Sequence, residues 1–294
     1  MSDFKAGFVN IFGYPNAGKS TLTNAFIGEE ISIVTKKVQT TRQRLLGLLT
    51  TKEFQIVFSD TPGILDPHYE LQKTMMSDIE GAFEDADIIL YITELNDNFD
   101  KHLPYVEKIK KLNVPFYLLI NKIDLGEQKK LEQKVEAWEK YVDKKQIVPI
   151  SALHKFNVIT LLEEIKNQLP VHEAFYADDI LTDKSERYIA SEMIRKQIFL
   201  NYEQEIPYST EVVVSSFKEE EKIIYINADI YVSRRTQKPI IIGKGGKMLK
   251  IVGTESRKEM ELFFNKKVYL ELYVRIKENW RNKPEDLRRF GYKH

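Results

Sequence analysis

The chain has 294 residues, balances 44 lysines and arginines against 44 aspartates and glutamates, and contains no cysteine. That length suits roughly two domains of about 150 residues each; the even charge balance points to no class of partner, and the missing cysteines exclude disulfides, cysteine-ligated zinc and thiol chemistry. No stretch approaches the roughly 18 uninterrupted apolar residues of a membrane span and the N-terminus lacks the apolar core of a secretion signal, so a cytoplasmic protein is the expectation.

Up to about residue 168 short apolar runs alternate with longer helical patterns, which predicts an α/β domain with helices on both faces of its sheet. Runs at 8–12, 54–58, 88–93, 116–120 and 147–150 read as strands, most of them apolar throughout, as parallel strands covered on both sides require. Residues 44–50 read as an antiparallel partner of 54–58, so the sheet is mixed but mostly parallel.

The first strand runs into Gly13, Tyr14, Pro15, Asn16, Ala17, Gly18, Lys19, Ser20 and Thr21, which fits G-x-x-x-x-G-K-[ST] between a strand and a helix, the setting that phosphate-binding motif needs. Its glycines let backbone amides form a concave nest for phosphate oxygens at a helix N-terminus, Lys19 neutralises charge at the β and γ phosphates, and Ser20 ligates magnesium. The strand at 54–58 leads into Asp60, Thr61, Pro62 and Gly63, where a strand end can aim Asp60 at the metal and the Gly63 amide can contact a γ-phosphate. By itself this tetrapeptide is an ordinary turn; its meaning comes from its place after the phosphate motif.

Asn121, Lys122 and Asp124 close the run at 116–120. The Asp124 carboxylate can accept two hydrogen bonds from guanine, while adenine leaves it unpaired, a difference worth roughly 10⁴ in selectivity. Asn and Asp can equally cap a following helix. Ser151 and Ala152, with Leu153 next, stand at the end of the last strand, a dipeptide that gains meaning only by following Asn121, Lys122 and Asp124 at the right point. These four elements, in this order, resemble the P-loop GTPases. The resemblance implies that a threonine of the polar stretch 35–43 covers the γ-phosphate and joins the magnesium shell, with Thr41 favoured and Thr40 the alternative. It also implies a water-orienting glutamine after Gly63, but that position is Ile64. In relatives with an apolar residue there, a potassium ion held by a P-loop asparagine serves instead, and Asn16 occupies that position. The implied catalytic set is Lys19, Asn16, Thr41 and Gly63, with GTP or GDP, magnesium and potassium as cofactors.

Residues 171–184, with a proline, scattered acids and no period, read as a linker between a nucleotide domain at 1–170 and a second domain at 185–294. The second domain offers helical spacing at Ile189, Met193, Ile194 and Ile198, strands at 211–217 and 223–232, a glycine-broken segment, a further helical pattern at 257–264, a strand at 268–276 and a C-terminal helix. Its centre, Ile242, Gly243, Lys244, Gly245, Gly246 and Lys247, contains G-x-x-G. Arg234, Arg235, Lys238, Lys250, Arg257 and Lys258 make the surroundings strongly cationic. A lone G-x-x-G is commonly a helix-ending turn and a basic run commonly a solvated face.

Together the loop and charge resemble a K-homology (KH) domain, whose glycine loop clamps single-stranded RNA, and the order helix, strand, strand, helix, helix, strand resembles its α+β type II form. With a P-loop GTPase domain in front, and with the stretches at 39–42, 205–209, 237–253 and 287–292, the whole chain resembles the Era family of ribosome-assembly GTPases. That resemblance implies binding to the 3′ end of 16S ribosomal RNA during 30S subunit maturation, RNA affinity that depends on the nucleotide, a monomer, and a peripheral contact with membrane. Tyr14, where relatives often carry arginine, and Leu153, where many G domains carry lysine, depart from the pattern. Two other readings remain open: a membrane-associated signalling switch whose basic surface meets anionic lipid, and an RNA chaperone that holds nucleotide as a structural cofactor.

Overall fold

The protein is described by a computed structural model that covers residues 4–292; residues 1–3 and 293–294, which the expected domain limits include, lie outside the described residues. Two compact units result. One comprises the chain up to Ser32, Thr41–Leu65 and Met75–Asp183; the other comprises Ile33–Thr40, Asp66–Thr74 and the chain from Lys184 onward.

The first unit contains β1 (Lys5–Gly13), α1 (Lys19–Ile27), β2 (Leu45–Thr50), β3 (Phe54–Asp60), most of α2 (Glu70–Glu84), β4 (Ile88–Glu94), α3 (Leu103–Lys110), β5 (Phe116–Asn121), α4 (Gln128–Glu139), β6 (Ile147–Pro149) and α5 (Val158–Gln168). The strands form one sheet in the order β2-β3-β1-β4-β5-β6. Only β2 runs antiparallel to its neighbour. β3 and β5 are buried at every position, because helices cover both faces. One apolar cluster joins the sheet to α1 and α5 through Leu22, Phe26, Leu161 and Ile165. The other joins it to α2, α3 and α4 through Ile79, Phe83, Val106, Ile109 and Trp138. Since β1, β3, β5 and β6 are parallel, their C-terminal ends share one edge, which is where an open α/β sheet binds ligands.

The stretch expected as a linker is not a free tether. Leu48 N donates to Leu181 O at 2.9 Å, Leu46 N donates to Asp183 Oδ1 at 2.9 Å, and the buried Gln55 side chain accepts from the amides of Phe175 and Tyr176. The physical reason is β2: as the end strand it would expose a row of unpaired backbone groups, and residues 180–183 cover that edge. Sequence composition alone carries no sign of this, since the partners are backbone groups and side chains more than 100 residues apart.

The second unit contains α6 (Glu186–Asn201), α7 (Ile206–Ser209), β7 (Thr210–Glu219), β8 (Ile223–Val232), α8 (Gln237–Ile242), α9 (Lys247–Phe264), β9 (Lys267–Ile276) and α10 (Pro284–Arg289). β7 and β8 pair antiparallel, β8 and β9 parallel. Alternation along β8 buries Ile224, Ile226, Ala228, Ile230 and Val232 on one face, against Ile194 and Ile198 of α6, Ile241 of α8 and Val252 and Met260 of α9. Ser185 caps α6 by accepting from Tyr188 N. The fold is therefore α/β followed by α+β in the order expected. The short α7 went unpredicted because four residues show no helical period; α10 is the C-terminal helix expected of this domain, with Leu287 buried and the ring of the following Phe290 edge-on to the buried Trp280.

Candidate nucleotide site and glycine loop

The loop between β1 and α1 curls as a nest around the Lys19 side chain. Lys19 is buried, and its Nζ donates to the carbonyls of Gly13 at 3.2 Å and Tyr14 at 3.1 Å. Burial lowers its pKa to about 8, with the Asp60 charge pulling the other way. Gly18 has φ 101°, and a Cβ there would stand 2.3 Å from Asn121 Nδ2, so no other residue fits. The Tyr14 side chain leaves the nest: its hydroxyl donates to Lys101 O at 3.0 Å and its ring meets His102 edge-on. Its main chain is what remains for a phosphate. Asn16 is exposed with φ 65°.

At the other side of the nest three oxygen-bearing side chains converge. Ser20 Oγ donates to Asp60 Oδ2 at 2.7 Å, lies 2.9 Å from Thr41 Oγ1, and Thr41 Oγ1 reaches the same carboxylate oxygen at 3.4 Å. Asp60 is fully buried, and its Oδ1 receives no hydrogen bond. Burial raises its pKa, opposed by the Ser20 hydrogen bond and the Lys19 charge. A buried carboxylate oxygen without a donor costs roughly 1–3 kcal/mol, and two hydroxyls beside it form the oxygen-only ligand set that suits magnesium, which keeps few protein ligands. Of the two threonines, Thr41 is the one at this point; Thr40 offers its carbonyl to Arg195 instead.

Gly63 lies against the nest so closely that a Cβ would stand 2.7 Å from Pro15, and the next amide, Ile64 N, donates to Gly13 O at 3.1 Å. The Ile64 side chain is buried in the apolar cluster under α2. Thr61 is also buried, its hydroxyl donating to Ile11 O at 2.6 Å, so it shapes the turn rather than facing a ligand. Pro62 is buried with it.

The base side is cross-tied. Asn121 Nδ2 donates to Ala17 O at 2.8 Å and Asn121 Oδ1 accepts from Ala152 N at 2.9 Å, which links three loops through one amide. Ser151 Oγ donates to Asp124 Oδ1 at 2.6 Å, orienting the carboxylate. Lys122 has φ 61° and pairs with Glu94 at 2.9 Å. Leu153 is 71% exposed. His154, which the sequence reading missed, comes within 3.7 Å of Asp124 Oδ2; a lone histidine outside any motif gives no signal.

In the second unit the glycine loop follows α8, and Gly243, Gly245 and Gly246 all have positive φ. Lys244, Lys247 and Lys250 are exposed beside it, Lys238 and Ile242 half-buried. Ile240 and Ile251 are 49% and 42% exposed, apolar surface next to cations that the sequence reading did not single out. Arg234 and Arg235 line an open hollow of about 400 Å³ with Arg281 and Asn279, and Arg235 is paired with Glu278 at 3.0 Å.

A glycine-rich nest around Lys19, a buried Asp60 carboxylate beside two hydroxyls and an Asp124 carboxylate held by Ser151 stand at strand ends of one sheet, followed by a type II KH domain; together they define the class: a P-loop GTPase joined to an RNA-binding module. A family model described as 50S ribosome-binding GTPase matches residues 8–122, and a KH domain model matches residues 205–281. GTPase Era of Syntrophus aciditrophicus (strain SB) is 42% identical over 292 residues, 98% of this chain and 95% of that protein. The crystal structure of Era in complex with MgGDPNP and nucleotides 1506–1542 of 16S ribosomal RNA superimposes with a TM-score of 0.93 at 38% identity, covering 99% of this chain and all of that one. An Aquifex aeolicus Era variant bound to GDP·AlF4− matches with the same TM-score, identity and coverage. The chain belongs to the Era family of GTPases.

Proposed function

We propose that this GTPase binds the 3′ end of 16S ribosomal RNA through the loop at 243–246 and acts in assembly of the 30S subunit, as a monomer in the cytoplasm, with RNA affinity set by the nucleotide. The observation that carries the reading is the full-length likeness to an Era whose structure holds both MgGDPNP and that RNA. It is supported by the exposed Lys244, Lys247 and Lys250 around three glycines of positive φ. Among the described residues no helix is long and apolar enough to cross a bilayer; a peripheral membrane contact stays part of the proposal.

The geometry supports one set of nucleotide contacts. Amides of residues 13–20 and Lys19 hold the phosphates, Ser20, Thr41 and Asp60 hold magnesium, and Asp124 with Ser151 behind it reads guanine. Magnesium supplies charge neutralisation at the β and γ phosphates. Since Ile64 points into the core, the chain orients the attacking water with main-chain groups near Gly63 rather than with that side chain. Asn16, exposed on the loop, is the group for a potassium ion that offsets charge on the transferring phosphate. Segments at 33–40 and 66–74 group with the KH unit, which supports a nucleotide-dependent RNA affinity.

The test measures phosphate release by the full chain with GTP and with ATP, and titrates an oligonucleotide of the 16S 3′ terminus with GTP analogue or GDP present. Guanine-selective turnover and RNA binding that differs between nucleotide states are expected. Equal RNA affinity in both states removes the coupling; binding to acidic liposomes but not RNA removes the ribosomal reading.

A further inference from the structure

Segment 33–40 is attached to α6 by two cations that reach in opposite directions. Lys37 Nζ donates to Phe199 O at 2.8 Å, to Tyr202 O, and pairs with Glu203 at 3.0 Å, so it closes the C-terminal end of α6 where the carbonyls lack helical partners. Arg195 reaches back the other way and its Nη2 donates to the carbonyl of Thr40. Arg195 and Phe199 share one face of α6 by the 3.6-residue period, Tyr202 and Glu203 follow directly after its last residue, and the segment reaches both.

Arg195 is 1% exposed, an expensive place for a guanidinium. Glu192, one turn earlier, accepts from Nε at 2.7 Å and Nη2 at 2.5 Å. That pair balances the charge and fixes the plane of the fork. What the guanidinium adds is a rigid, charge-assisted donor aimed at the Thr40 carbonyl. One peptide bond further is Thr41, whose hydroxyl sits with Ser20 and Asp60. Gln39, just before, holds φ 57°, a conformation that costs energy for a non-glycine residue and relaxes unless the chain is held beyond it.

We propose that Arg195 is a positioning residue for GTP hydrolysis: it fixes the Thr40 carbonyl so that the Thr41 hydroxyl stays at the Ser20 and Asp60 oxygens. The inference rests on the reading of Thr41 as a ligand of magnesium and the γ-phosphate side. On that reading Thr41 serves the γ-phosphate side, which GDP lacks, so the effect is expected chiefly in the triphosphate state.

The experiment compares full-length wild type, Arg195→Lys, Arg195→Met and Lys37→Gln in single-turnover GTP hydrolysis and in affinity for GDP and for a non-hydrolysable GTP analogue. Both Arg195 variants are expected to hydrolyse GTP about tenfold more slowly and to lose a similar factor in analogue affinity, as removal of a charge-assisted hydrogen bond predicts. Lys37→Gln should shift both in the same direction by about threefold, since its bonds are nearer solvent. GDP affinity stays within about twofold of wild type, and the analogue, not GDP, needs more magnesium for half-saturation. Wild-type hydrolysis and analogue affinity in folded Arg195 variants overturn the proposal, as does an equal loss for GDP and analogue. If the Arg195 variants do not fold, wild-type behaviour of Lys37→Gln overturns it. Absence of GTP turnover in the wild type would instead sink the functional reading beneath it.

Discussion

The nucleotide site and the glycine loop are both built around glycines and lysines, yet they are held by different means. In the first, tertiary hydrogen bonds do the holding: Asn121 ties the P-loop to the Ala152 amide, Ser151 fixes Asp124, and Lys19 is buried under Gly13 and Tyr14. In the second, positive φ angles and short-range backbone bonds, such as Gly246 N donating to Gly243 O at 3.1 Å, shape the loop, and Lys244, Lys247 and Lys250 are exposed. A buried, cross-tied site loses function steeply when one group changes. An exposed site that works through summed charge loses it gradually and in a salt-dependent way.

The steepest loss is expected at Lys19. Lys19→Ala removes the buried cation from the nest, and GTP hydrolysis should fall by about 10³ or more, read as phosphate release at saturating magnesium. Asp124→Asn comes next. The amide keeps the size but presents a donor where guanine also donates, so GTP affinity should fall by about 10² while ITP or XTP is affected differently. Calorimetry across these nucleotides checks it, and unchanged guanine preference would mean that Asp124 only caps a turn.

On the loop side the effect is smaller. Gly245 has φ 60° with open space where a Cβ would stand, and aspartate tolerates that conformation, so Gly245→Asp should leave the fold intact. Its carboxylate would face RNA phosphate and weaken oligonucleotide binding by about tenfold at low salt, less as salt rises. GTP hydrolysis without RNA should not change. A comparable drop in hydrolysis would erase the contrast between the two sites.

Lys19 also makes the nucleotide site sensitive to pH. Its pKa in the free protein is lowered to about 8 by burial, so the cation is in place below pH 8 and is lost above it. Binding phosphate favours the charged form, and above pH 8 it must draw a proton from solvent. Affinity should therefore fall by up to about tenfold per pH unit beyond 8. Calorimetry at pH 9 in two buffers of different ionisation enthalpy should show proton uptake on binding; a flat profile from pH 7 to 9.5 would place the Lys19 pKa elsewhere.

Most of the nucleotide site was legible because its chemistry is written in adjacent residues. The chain 13–20 is both motif and loop, and Asp60, Asn121 and Ser151 each end or follow an apolar strand whose character is plain in the sequence. The parts that were not legible depend on residues far apart. Coverage of β2 by residues 180–183 is made by backbone atoms and the Asp183 carboxylate, and the attachment of residues 37 and 40 to α6 links positions 155 to 162 apart in sequence. Tyr14 could be placed in the P-loop from its position, but not turned toward Lys101 and His102. On the RNA side the cations were readable from composition. The exposed Ile240 and Ile251 were not, since only the packing of α8 and α9 decides which isoleucines of that run are buried.

The smallest expected effect separates two neighbouring threonines that sequence left as alternatives. Thr41 Oγ1 lies at Ser20 and Asp60, whereas Thr40 contributes its carbonyl, an atom that any residue supplies. Thr40→Val keeps the backbone and the β-branched shape, so hydrolysis should stay within about threefold of wild type. Thr41→Val removes the hydroxyl beside a buried carboxylate and should cost about 10² in the same assay. If the two variants lost activity equally, the hydroxyls would be interchangeable and residues 39–41 would be free to slide by one residue. That result would require the segment to be loose at Thr40, and it would remove the distinction between a tightly fixed nucleotide site and a yielding glycine loop at the point where it is sharpest.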